Sequence, residues 1–184
     1  RKANILSQFE AIENMNGLTI EIDSDLLDEV VAITEHPTAL LGKFDESFLT
    51  LPPEVIITSM KEHQRYFPVF KNGALMNHFV VVSNALCENF DKVIEGNERV
   101  LRPRLSDALF FYNNDLKKGL TTEGLEKVVF MNGLGSLADK NIREQKVAEV
   151  LFKLVENRIP DQKEVLMRAI KLSKADLMSE MVYE

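Results

Sequence analysis

The chain has 184 residues, is 45 % apolar, and carries 22 Lys and Arg against 29 Asp and Glu, for a net charge of −7. That much apolar side chain supports a buried core, and the length fits one domain or one and a fraction. An acidic chain is not a general nucleic-acid binder, so any such contact must come from a local cationic cluster. Cys87 is the single cysteine, which excludes an intrachain disulfide and a multi-cysteine zinc site and fits a reducing, cytoplasmic setting. It reads as a buried or half-buried structural thiol. No apolar run is long enough to span a bilayer, and no signal peptide opens the chain. The start at Arg1 without Met and the end on EMVYE read as an internal fragment.

In chain order, ANILSQFEAIENM places Ile5, Phe9, Ile12 and Met15 on one helical face, and Gly17 stops the helix. LTIEI alternates as a short strand. Ser24 is placed to cap the next helix, DLLDEVVAITE, which His36-Pro37 ends. TALLGKF reads as a strand, and Pro52-Pro53 suits the start of the helix PEVIITSMKEHQ. Asn72-Gly73, between YFPVF and LMNHFVVVSN, is a type I′ hairpin signal. Pro68 lacks a ladder donor, so its strand is expected at an edge or bulged. Residues 89–118 turn helical with an interruption at Pro103, beyond which Leu105, Ala108, Leu109, Tyr112 and Leu116 share a face. KVVFM is a strand, and NGLGSLADK a turn opening a helix over 137–157. Two further helical stretches follow Pro160. The fold class is α+β: mixed helices and an antiparallel hairpin over residues 1–136, then an all-α segment over 137–184.

Sites are few. His36, His63 and His78 stand apart, none with a second ligand at metal spacing. There is no nucleophile motif. Gly133-Leu134-Gly135-Ser136 could turn N–H groups toward an anion, but it lacks the third glycine of a dinucleotide fingerprint and the ending of a P-loop. A tight turn capped by Ser136 is the simpler reading. The cluster that remains is Arg99, Arg102 and Arg104 around Pro103, with Lys61 and Arg65 before the hairpin. Internal pairing competes with anion binding here: Glu98 stands four residues before Arg102, and Asp107 three after Arg104.

The phrases LPPEVIITSMKEHQRYFPVFKNGAL, FVVVSNA, GNERVLRPRLSDALFFYNNDLKK, VVFMNGLGSLADK and KADLMSEMVYE follow one another here in a single order. Together they resemble the central part of the beta subunit of bacterial heterotetrameric glycyl-tRNA synthetase. The resemblance covers residues 24–184 and is weak over the first twenty. It implies the end of the subunit's body followed by the opening helices of a domain related to the HD phosphohydrolase fold. It also implies a ligase of two alpha and two beta chains that joins glycine to its tRNA with ATP and magnesium. In that family the adenylate-forming site lies in the alpha subunit and the beta subunit serves tRNA recognition. On this chain the resemblance therefore implies no catalytic residue, no metal and no cofactor, and partners that are the glycine tRNA, the alpha subunit and a second beta subunit, with no membrane. Lys61, Arg65, Arg99, Arg102 and Arg104 become candidate phosphate contacts. Two other readings stand beside this one. A metal phosphohydrolase would need the His-Asp pair that the sequence lacks, and a structural interface module would never touch RNA.

Overall fold

The structure, a computed structural model, describes residues 1–183. Its contacts divide the chain into two compact units, Arg1–Phe110 and Phe111–Glu184. The architecture is α+β.

The first unit opens with α1 (Lys2–Asn16), β1 (Thr19–Ile20), α2 (Ser24–Ile33) and β2 (Thr38–Lys43). A 3-10 turn at Glu46–Thr50, α3 (Pro53–Gln64), β3 (Phe67–Lys71), β4 (Ala74–Ser83) and α4 (Asp91–Lys118) follow. The strands form one antiparallel sheet in the order β1-β3-β4-β2. Gly17 takes the left-handed conformation (φ 62°) that ends α1, and Asn72 and Gly73 both have positive φ, as a type I′ turn requires.

The main core is local amphipathicity closed by topology. Ile5 and Phe9 of α1 and Leu26, Leu27 and Val30 of α2 meet Ile20, Phe67, Val69 and Val80 from the sheet. Phe9 and Phe67 pack edge to face with centroids 5.0 Å apart. Strand alternation turns Phe79 to the other face from Val80, where it stacks on Tyr66 at 4.5 Å. Gly42 lies opposite Phe79 in the ladder, and a Cβ there would come within 2.5 Å of the ring.

Three expectations are corrected, and one is met. Asp23, not Ser24, caps α2, its carboxylate accepting from the N–H groups of Asp25 and Leu26. Of the two places expected for Pro68, an edge or a bulge, the structure shows the second: β3 is an inner strand, and its register shifts between Pro68 and Phe70. Cys87 is exposed. And α4 runs through Pro103 without interruption. An interior proline opposes a helix by about 3 kcal/mol. Leu101 and Leu105 on either side are fully buried, each stabilising by roughly 1.5–3 kcal/mol, so burial wins.

The second unit contains the end of α4, β5 (Val129–Met131), β6 (Gly135–Ser136), α5 (Leu137–Val155), α6 (Lys163–Leu172) and α7 (Glu180–Tyr183). Strands β5 and β6 make a two-stranded antiparallel sheet. Ser136 and Asp139 form a capping box at the start of α5. Asp115 accepts from the N–H groups of Glu180 and Met181, fixing α7 against the end of α4. Asn141, one of the few buried polar residues, donates to the carbonyl of Ile170 and holds α6 to α5.

Candidate nucleic-acid interface

The five candidate cations have different surroundings. Lys61, in the last turn of α3, is bonded to Glu21 at 2.6 Å and lies 3.6 Å from Asp23, with its side chain only 19 % exposed. Burial alone would lower its ammonium pKa; the hydrogen bond and charge of Glu21, then the charge of Asp23, outweigh that and raise it. Arg65 ends α3 in the left-handed region (φ 57°), where glycine is the usual residue. It donates from Nε to Glu29 at 2.8 Å and from Nη1 to the carbonyl of Glu62. These two cations tie α3 to the segment between β1 and α2 and to α2 itself.

Arg99, Arg102 and Arg104 do not make one patch. At 100° per residue along an unbroken helix, Arg99 and Arg102 are about 60° apart, whereas Arg102 and Arg104 fall on roughly opposite flanks of the buried stripe of Leu101, Leu105 and Ala108. Arg99 faces solvent, 75 % exposed, and bonds Glu95 one turn back at 2.8 Å. The expected pairs of Glu98 with Arg102 and Arg104 with Asp107 do not form. Glu98 instead accepts from the backbone N–H of Lys43 at 3.0 Å. Among the described residues, Arg102 and Arg104 have no ion-pair partner.

Arg102 borders a cavity of ≈ 210 Å³, lined also by Lys43, Phe44, Asp45, Phe48 and Glu98. Hydrogen bonds from Ser47 hold the Asp45 carboxyl below the usual carboxylate range. His78 lies directly across the ladder from Lys43. Burial, then the charge of Lys43, lowers its pKa, and its Nδ1 is buried without a hydrogen-bond partner. Beside α4, the Tyr66 hydroxyl donates to Asn97 at 2.7 Å, and burial pushes its pKa up to about 12. Sequence reasoning missed this cavity because its walls lie some 55 residues apart, the separation of Lys43 and Glu98.

The glycine-rich turn is filled from within: Asp139 accepts from the N–H and hydroxyl of Ser136, so its carboxylate occupies the place an anion would take. Among the described residues, no three His, Cys, Asp or Glu side chains are grouped to hold a metal. No helix among them is long and apolar enough to cross a membrane.

Comparison with known proteins gives these observations a family. The sequence model described as glycyl-tRNA synthetase beta subunit matches residues 1–184, the first twenty included. The chain belongs to the glycyl-tRNA synthetase beta-subunit family. It is similar to the "Glycine--tRNA ligase beta subunit" of Helicobacter pylori (strain Shi470), 52 % identical over 193 residues, covering 100 % of this chain and 28 % of that protein. The Bacillus subtilis (strain 168) protein of the same name is 48 % identical over 187 residues, covering 100 % of this chain and 27 % of its own length. The chain thus spans little more than a quarter of these beta-subunit relatives.

Proposed function

We propose that this chain is a tRNA-binding and scaffolding part of a glycine–tRNA ligase beta subunit, an enzyme component without a catalytic residue of its own. The whole ligase would attach glycine to its tRNA with ATP and magnesium at the alpha subunit, in an assembly with a second beta subunit. The carrying observation is that, among the described residues, Arg102 and Arg104, alone of the five candidates, form no ion pair with a carboxylate; Arg102 acts on Asp45 only through its charge. An unpaired guanidinium keeps its planar donors for a phosphate or a base edge. Lys61, Arg65 and Arg99 would have to break an existing pair first.

Anisotropy of labelled glycine tRNA across a salt series tests this. Arg102→Ala and Arg104→Ala should each flatten the log–log salt slope by up to roughly 0.9, while Lys61→Ala leaves it unchanged. Equal effects at all three positions, or no binding at low salt, would refute the assignment. Glycine-dependent pyrophosphate exchange by this chain alone would refute the claim that it is non-catalytic.

The scaffolding part of the reading has its own support. An apolar groove of ≈ 730 Å³ in the second unit is lined by Phe130, Leu134, Val147, Leu151 and Phe152 of β5, the hairpin and α5, and by Ile170 of α6. Apolar surface left open on that scale suits a protein interface.

A further inference from the structure

The cavity beside Arg102 has features that a phosphate grip does not explain. Two cations and two anions line it, yet no ion pair joins Lys43 or Arg102 to Asp45 or Glu98. The Glu98 carboxylate is aimed by its bond to the Lys43 N–H through one lone pair of Oε1, which leaves Oε2 and the second lone pair of Oε1 to accept from a neighbouring pair of donors. Asp45 is held ionised by Ser47. Phe44 and Phe48 supply an apolar wall. The first unit also carries the whole net charge of −7, so its surface is a poor general host for phosphates.

A ligand matching this set offers adjacent donors on one edge and acceptors on another, on a planar ring small enough for the cavity. Guanine does so: N1–H and N2–H lie side by side, while O6 and N7 accept. A carboxylate with a free oxygen complements the first edge, and a guanidinium the second. Adenine, cytosine and uracil each set an acceptor beside their donor, which would face the carboxylate. Sequence-specific RNA recognition works on unstacked bases of this kind, read on their edges against apolar or aromatic walls.

We propose that this cavity receives an unstacked guanine of a bound RNA, with Glu98 accepting from N1–H and N2–H and Arg102 donating to O6 or N7. The proposal rests on the tRNA-binding reading above and sharpens it: of the two targets named there, Arg102 takes a base edge, while its charge still adds to the salt-dependent part of binding.

The test is titration of the ¹⁵N-labelled 184-residue chain with guanosine, adenosine, cytidine, uridine and inorganic phosphate in separate arms. Guanosine alone should give saturable shifts at the amides of residues 43–48 and 98–102. Glu98→Gln keeps an acceptor for the Lys43 N–H and so keeps the local fold, yet should weaken guanosine by roughly tenfold, as should Arg102→Ala. Glu10→Gln, an exposed acid on α1, should leave it unchanged. Equal shifts from all four nucleosides, shifts from phosphate alone, no shifts, or wild-type affinity in Glu98→Gln would each overturn the proposal. Glycine tRNA binding in the anisotropy assay separates it from its parent reading. Binding to tRNA without guanosine shifts removes the pocket and leaves the reading, whereas guanosine shifts without tRNA binding overturn the assignment to tRNA.

Discussion

The two units solve the problem of burying apolar surface in different ways. The first covers a four-stranded sheet with helices and places its large side chains inside: Phe9, Phe67, Phe79, Ile56 and Met60 are all essentially inaccessible. Among its described apolar residues the second buries only Leu125, Leu137, Ala148, Phe152 and Ala175, and it leaves Val150 64 % and Leu154 79 % exposed on α5. Charge divides the same way. The second unit has twelve cationic and twelve anionic side chains, so the chain's net charge lies entirely in the first. A closed core under an acidic surface can stand as a body that carries a polar site. An open apolar groove with balanced charge is a surface built to be covered.

The comparison breaks first on core truncations. Phe9→Ala should destabilise the first unit by about 3–5 kcal/mol in denaturant unfolding followed by signals from that unit. Phe152→Ala should fall at the low end of that range, because its site adjoins the open groove and the void is not sealed. If Phe152→Ala is the more damaging, the second unit has a closed core and the contrast fails.

Gly42→Ala comes next, at about 1–3 kcal/mol, since Phe79 cannot retreat from its stack on Tyr66. On the groove of the second unit, Leu154→Lys should shift stability by no more than about 0.5 kcal/mol. A large loss there would mean that Leu154 is already covered.

Ser136→Ala should cost about 1 kcal/mol through the lost cap of α5, seen as faster hydrogen exchange in its first turn. Lys61→Ala and Arg65→Ala should each cost under about 1 kcal/mol in thermal unfolding, as partly exposed ion pairs do.

The smallest expected effect is in acid. Asp23 and Asp139 sit at helix starts, and backbone hydrogen bonds, first from Leu26 and from Ser136 respectively, keep their pKa values below the usual 3.8. A depressed folded-state pKa contributes stability that is complete above about 3.8 and is lost as pH falls through the folded value. Asp23→Asn keeps the capping oxygen without the charge and should flatten the acid limb of a stability–pH curve. An unchanged limb would show that the charge adds nothing to the cap.

Much of the first unit was legible because its signals are local. Asn72-Gly73, Gly17 and Pro53 each decide a turn or a helix end within a few residues, and the α1 stripe of Ile5 and Phe9 needs only helical periodicity. The Ser136 cap of α5 was legible for the same reason, whereas the returning bond from Asp139 that completes the capping box came from the structure. Pro103 misled because a local penalty was outweighed by the burial of Leu101 and Leu105, which depends on what packs against them.

The candidate site was legible only as a set of cations. Sequence by itself determined the family's phrases, the hairpin, the main helices and the acidic charge that rules out a general nucleic-acid binder. Which arginines stay free was decided by tertiary structure. Lys61 finds Glu21 forty residues away and Arg65 finds Glu29 thirty-six away. Glu98, expected beside Arg102, is drawn instead to the Lys43 backbone fifty-five residues away. Helix periodicity then sends Arg102 and Arg104 to opposite flanks of α4 once the helix runs through its proline. Caps and turns are set by neighbours along the chain, whereas the partner of a long, charged side chain is set by whatever the packed topology brings within its reach.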